Sequence, residues 1–244
     1  MEIKCINAFY PDVTCKQQSM TDIIEQFFHS YWEPGMKMVH TDKVPKEMMH
    51  SNIDEDGWYE WKLLPGTLTV EDYMKIESYY KVILPESFIE WHRRYFFEDG
   101  DCSIIRLPSS LPTRPLEKLR ANLDWHIPEQ LIPMGLIPFA DEGNDAGTLV
   151  FDTRGVSGRT DFPIRVYDHE YQGDLAGLSD VVFSSFNKLL ECLTQFLNGT
   201  KVQKSFEAIP DFFSIDPAGA GSTGKSYWRR WTEMEKANFE EFGY

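Results

Sequence analysis

With 244 residues and 42% hydrophobic content the chain can bury a sizeable core, as one domain with an extension or as two small ones, and its composition excludes a disordered protein. Its 39 acidic against 24 basic residues give a formal net charge of -15, which argues against nucleic-acid and anionic-membrane partners and favours a basic one. Four cysteines, Cys5, Cys15, Cys102 and Cys192, have neither metal-ligand spacing nor the density of a disulfide scaffold, so they read as idle thiols in a reducing compartment.

From Met1 the chain shows no basic and then apolar leader, and no apolar run nears the ~18 residues of a membrane span, so the expected location is the cytoplasm. Residues 1–65 read as an N-terminal extension. Within it Ile23, Ile24, Phe27, Phe28 and Tyr31 recur at helical spacing until Pro34-Gly35, and 36–56 reads as loop. Trp58-Tyr59-Glu60-Trp61 alternates like a short strand before Pro65-Gly66, with Trp58 and Trp61 either in the core or forming a partner-facing patch. Thr69 and Asp72 open a helix over 70–80 that buries Tyr73, Ile76 and Tyr80. A second helix is predicted over 84–100, with Pro85 in its first turn, Gly100 as a left-handed stop, and Phe88, Trp91, Tyr95 and Phe96 as a buried stripe. A strand over 101–107, closed by Pro108 and Pro112, precedes a short helix marked by Leu116, Leu119 and Leu123 and a proline-broken stretch over 127–133.

The pattern then changes to short strands over 136–140, 148–152 and 164–168, separated by acidic, glycine-bearing turns. Their links are too short for crossover helices, which predicts an antiparallel meander. An amphipathic helix over 184–197 buries Phe186, Leu189, Leu190, Leu193, Phe196 and Leu197. Asn198-Gly199-Thr200 matches a glycosylation sequon but reads as a helix exit with Gly199 as the stop. The remaining 201–244 reads as a linker, with a possible strand at 212–215, and a C-terminal helix carrying Trp and Phe.

This order of elements resembles the SUKH superfamily, which includes fungal cell-wall-assembly regulators of the Smi/Knr type and many bacterial toxin-immunity proteins. The resemblance is carried by Glu77 with Leu84-Pro85-Glu86-Ser87-Phe88, by Ile137-Pro138-Phe139-Ala140 with Asp141, Glu142 and Gly143, by Leu149, Phe151 and Asp152, by Pro163-Ile164, and by Ser185-Phe186. It covers about residues 68–200, within an expected domain over 66–200. Where the family often has Asn-Gly-Gly after the Leu-Pro helix, this chain has Glu98-Asp99-Gly100. The resemblance implies an α+β domain with a mostly antiparallel sheet flanked by helices, used to bind proteins and not as an enzyme.

Three constellations bear on chemistry. Residues 219–226 match the phosphate-loop pattern, but no buried strand leads into them and none follows, so a glycine/serine linker is expected and nucleotide binding is the minor alternative. Asp168-His169-Glu170 with His126, and Cys102 with His92, lack the convergence of a metal site or the orienting acid of a nucleophile pair, so no catalytic residue, metal or cofactor is expected. Asp141, Glu142, Asp145, Asp152, Asp161, Asp168, Glu170, Asp174 and Asp180 outnumber Arg154, Arg159 and Arg165, and clustered at one sheet edge they would steer a basic partner. The expected partner-binding residues are Asp141, Glu142, Asp145, Asp152, Asp168, Glu170, Asp174, Trp58 and Trp61. The expected function is that of an immunity protein occluding the active site of a basic toxin domain, with a regulatory scaffold of the cell-wall type as the alternative.

Overall fold

Five apolar residues at helical spacing put one stripe along α1 (Met20–Trp32), and Ile23, Ile24, Phe27, Phe28 and Tyr31 are all buried. The computed structural model describes residues 19–32, 38–40, 45–124 and 126–243. Pro34-Gly35, Cys5, Cys15 and the His126 side chain lie outside the described residues. The stretch expected as loop contributes β1 (Met38–His40), paired antiparallel with β2 (Trp58–Glu60) so that Val39 faces Tyr59. Three residues are too few to display a period. After β3 (Leu64–Pro65) comes α2 (Val70–Tyr80), with the predicted bounds. Its first turn is closed by Asp72 Oδ2, which accepts from the Thr69 N–H at 3.0 Å and hydroxyl at 3.1 Å.

The helix expected over 84–100 is shorter. α3 (Glu86–His92) ends at Arg93, and the chain turns into β4 (Tyr95–Phe96), which pairs with β3. Pairing with Leu64 and Pro65, and the edge-on contact of Tyr95 with Phe28 at 4.9 Å, outweigh continued helix. Gly100 stops no helix. A Cβ there would collide with the Leu107 carbonyl oxygen, and the Leu107 N–H donates to the Gly100 carbonyl at 2.8 Å. The strand expected over 101–107 contracts to β5 (Ile105–Arg106), and α4 (Glu117–Leu123) follows as predicted. The proline-broken stretch holds α5 (His126–Leu131), with Pro128 in its first turn, and a tight turn that ends at Gly135, φ 77°.

The predicted meander is present: β6 (Leu136–Glu142), β7 (Gly147–Asp152) and β8 (Ile164–Asp168) are antiparallel, and β5 joins at the β6 edge. The fold is α+β. Both faces of the sheet are covered, which accounts for strands with little polar alternation. Leu136, Val150 and Tyr167 pack with Ile127 and Leu131 of α5, while Ile137, Phe151 and Ile164 join the larger cluster on the other face. There, α6 (Phe186–Gly199) starts where Ser185 Oγ accepts from the Lys188 N–H at 3.1 Å and Asp161 accepts from the Phe186 and Asn187 N–H groups at 2.7 and 3.2 Å. Gly199 is the last helical residue, but the following Thr200 keeps a right-handed conformation, so no left-handed stop forms.

The tail packs on this core. α7 (Ser205–Ala208) and α8 (Phe212–Ile215) lead to α9 (Lys225–Phe242), whose Trp228 and Trp231 belong to the same buried cluster as Ile23. Residues 212–215 are a helical turn and not a strand, because this places Phe212 against Trp228 at 5.0 Å and Phe196 at 6.3 Å.

His92 is fully buried, with Nδ1 2.6 Å from the Tyr73 hydroxyl, and burial pushes its pKa from 6.5 down to about 3. Below pH 6.5 the unfolded chain takes up a proton that the fold refuses until about pH 3, so this group's contribution is present above that window and lost as pH falls through it. The slope is at most about 1.4 kcal/mol per pH unit. Replacing both partners, Tyr73→Phe with His92→Phe, is expected to flatten the fall of Tm between pH 6.5 and 4 in thermal unfolding. An unchanged slope contradicts the assignment.

Candidate protein-binding cleft

Two carboxylates shape the chain between β4 and β5. Asp99 Oδ1 accepts from the Asp101 N–H at 3.0 Å and Asp101 Oδ1 from the Ser103 N–H at 2.7 Å, and these turns set Glu98, Asp99 and Asp101 along one lip. Opposite stand Arg114 and, on α4, Lys118 and Asn122; β1 and β2 close one end with Met38, His40 and Trp58. Asp141 of β6, paired across the ladder with Arg106, completes an open cleft of about 660 Å³. Trp58 is 45% exposed, its ring edge-on to His40 at 5.3 Å, and its backbone N–H donates to Asp54 Oδ1 at 2.8 Å.

Burial pushes the Glu98, Asp99 and Asp141 carboxyls above the usual range, and the Asp99 charge adds to the effect on Glu98. Cations offset part of this: Arg114 and Lys118 act on Glu98, Lys118 on Asp99, and Arg106 and Lys118 on Asp141, while Arg106 also pairs with Asp145, lies 3.8 Å from Asp101 and donates to the Gly143 carbonyl at 2.6 Å. The net shift of all three is still upward, with burial the largest cause, and a carboxylate so placed gains from an incoming cation.

The sequence-predicted residues separate. Trp58 and Asp141 share this cleft, and Asp141 and Asp145 share an adjoining hollow of about 330 Å³. Trp61 is not on the surface: it is fully buried against Trp32 at 5.0 Å, because positions three apart on a strand face opposite ways. Asp152, 6% exposed, is clamped by Arg154 at 2.8 Å and Arg165 at 2.7 Å; against the cost of burial, these hydrogen bonds hold its carboxyl below the usual range. Asp168 and Asp174 accept from the Glu170 and Ala176 N–H groups at 3.0 and 2.9 Å and so close tight turns, while Glu170 is exposed beside His169. Glu142, next to Asp141, turns to the other face of the sheet and is 3% exposed. Of the acids expected along one edge, Asp141 lines the cleft, Asp168 and Asp174 make turns, Asp152 is clamped by arginines, Glu142 lies on the other face and Glu170 is exposed. Glu98, Asp99 and Asp101 were missed because 98–100 reads as the end of a helix, and Asp99-Gly100-Asp101 was the available turn signal.

The phosphate-loop match is neither a linker nor a nucleotide cradle. Asp216, 1% exposed, fills the position of an anion: its carboxylate accepts from the Gly219 and Ala220 N–H groups at 3.0 and 3.3 Å and from the Ser184 N–H and hydroxyl at 2.7 and 2.6 Å. Gly219 and Ala220 are buried, and a Cβ on Gly224 would lie 2.6 Å from the Val181 carbonyl oxygen. Among the described residues no group of His, Cys, Asp and Glu is placed to hold a metal, and no helix is long and apolar enough to cross a membrane. Cys102 and Cys192 are buried free thiols, and burial pushes both up, away from the reactive thiolate. No family model, curated protein or solved structure matches the chain.

Two outcomes follow. Asp216→Ala leaves four donors without their shared acceptor and is expected to cost about 3–5 kcal/mol, a fall in Tm of roughly 10 °C by calorimetry; a change near 1 °C contradicts the clamp. A carboxyl with a raised pKa stabilises the fold at low pH and loses that contribution as pH rises through its window. At pH 7.5 Glu98→Gln with Asp141→Asn is therefore expected to raise Tm, by about 2–4 °C for each kcal/mol recovered. A lower Tm in the same scan counts against the burial cost.

Proposed function

We propose that this chain is a non-enzymatic immunity protein acting in the cytoplasm, which binds a cognate protein toxin through the cleft between Trp58 and Asp141 and occludes the toxin's active site. The observation that carries the reading is the grouping of Glu98, Asp99 and Asp141, whose carboxyls are pushed above the usual range, beside a half-exposed tryptophan. Such a constellation weakens the free protein and gains only when a cation arrives. Tryptophan supplies the apolar anchor around which binding energy concentrates, and the net charge of -15 steers a basic surface toward it. The toxin's substrate-binding surface is then the natural target, since its basic groups are those the acids would pair. The resemblance of the 68–200 region to SUKH proteins supports the same class.

The test is co-expression with the basic toxin domain proposed as the partner. The parent is expected to restore growth. Trp58→Ala, expected to weaken binding by about 2–4 kcal/mol, or 30- to 1000-fold, should lose protection while keeping the parent's Tm. Absence of protection by the parent, or full protection by Trp58→Ala combined with Asp141→Asn, overturns the proposal.

A further inference from the structure

On the face of the sheet turned toward α9 lies a second hollow, of about 480 Å³, and we infer that it binds an organic cation: an ammonium or guanidinium group on an apolar stem. The inference is independent of the toxin-binding cleft. At the base stands Glu142, 3% exposed. Its Oε1 accepts from the Tyr227 hydroxyl and from the Trp231 indole N–H at 2.8 Å, whereas Oε2 accepts no hydrogen bond. Both donors are neutral, and among the described residues no lysine, arginine or histidine pairs with Glu142. Arg230 also lines the hollow but is exposed.

A carboxylate withdrawn from water with one oxygen unserved is costly; Oε2 is closed to solvent, so a guest in the hollow would serve it through a small turn of the Glu142 side chain. The hollow defines what that is. Val166, Leu178 and Met234 supply apolar walls for a stem, and Tyr171, Tyr227 and Trp231 also line the hollow, aromatic groups of the kind that attract a cation. Asp168 adds a second negative group, so an anion is repelled; a purely apolar guest would seal Oε2 without a partner. The volume is that of a small-ligand site.

The Trp231 indole N–H, bonded to the carboxylate that the cation would meet, is the reporter. Its ¹H–¹⁵N resonance, assigned with Trp231→Phe, would be followed while agmatine, n-butylamine and the peptide Gly-Gly-Arg-Gly-Gly are added, with 1-butanol as the uncharged control. A saturable shift with a Kd of about 1 mM or tighter is expected for the cations and not for butanol. Response to the free amines alone assigns the hollow to a free metabolite; response to the peptide as well assigns it to a side chain of a protein partner. Glu142→Gln is expected to weaken binding at least tenfold. Ala176→Trp, at an exposed position of the rim, should block entry without touching the carboxylate, and keeps the test decisive where Glu142→Gln fails to fold. No shift with any cation up to about 20 mM, an equal shift with butanol, or unchanged binding by the Ala176→Trp protein overturns the inference and leaves Oε2 to water.

Discussion

The aromatic junction at Phe88 and Trp91 holds the molecule together. The Phe88 ring lies 5.3–5.8 Å from those of Phe139, Phe151 and Phe186, and the Trp91 ring 6.0 and 6.1 Å from Phe27 and Phe28, so seven residues of α3 join the sheet, α6 and α1. A helix so short cannot hold itself by its own hydrogen bonds. Its entry is fixed from outside: Glu77 accepts from the Leu84 N–H at 2.9 Å and from Arg159 at 2.7 Å, while the Glu86 N–H donates to the Arg159 carbonyl at 2.8 Å. Arg159 thus ties the end of α2 and the start of α3 to the loop before β8. The part of the cleft built by residues 98–141 lies in the chain between this junction and the sheet.

What the sequence revealed follows from the length of each periodic run. α1, α2, α6 and the meander carry enough apolar positions for the period to declare itself, and their bounds fell within a few residues of expectation. The helix over 84–100 was overread because Tyr95 and Phe96 fit a helical stripe as well as a strand; long-range pairing with Leu64 and Pro65 decided the matter, and no local pattern announces such a partner. The same limit hid β1. In the candidate site, Trp58, read as either core or patch, and Asp141 share the cleft, whereas Asp152, Asp168 and Asp174, expected beside them, give their carboxylates to neighbouring N–H groups or arginines. An Asp before a turn reads as surface charge when only composition is considered, and as a backbone acceptor once the turn is drawn.

Asp141 and Glu142 condense the functional argument into one dipeptide. Consecutive on β6, they face opposite sides of the sheet and meet opposite conditions: Asp141 opens to the cleft with Arg106 across the ladder, and Glu142 lies beneath Trp231. Asp216, by contrast, is fully satisfied by four donors and anchors the tail to residue 184. The molecule thus holds buried carboxylates of two kinds. Those whose oxygens are served build the fold, whereas Glu98 Oε2 and Glu142 Oε2 have no hydrogen-bond partner among the described residues and are the points at which a bound cation is proposed.

The most direct measurement of the central claim is amide hydrogen exchange of the protein alone and of the protein bound to the basic toxin domain proposed as its partner. The account predicts added protection concentrated at residues 54–60, 98–106 and 114–122, the three segments that surround the acid-lined cleft. Protection confined to α6 or α9, with those three segments exchanging as in the free protein, would contradict it.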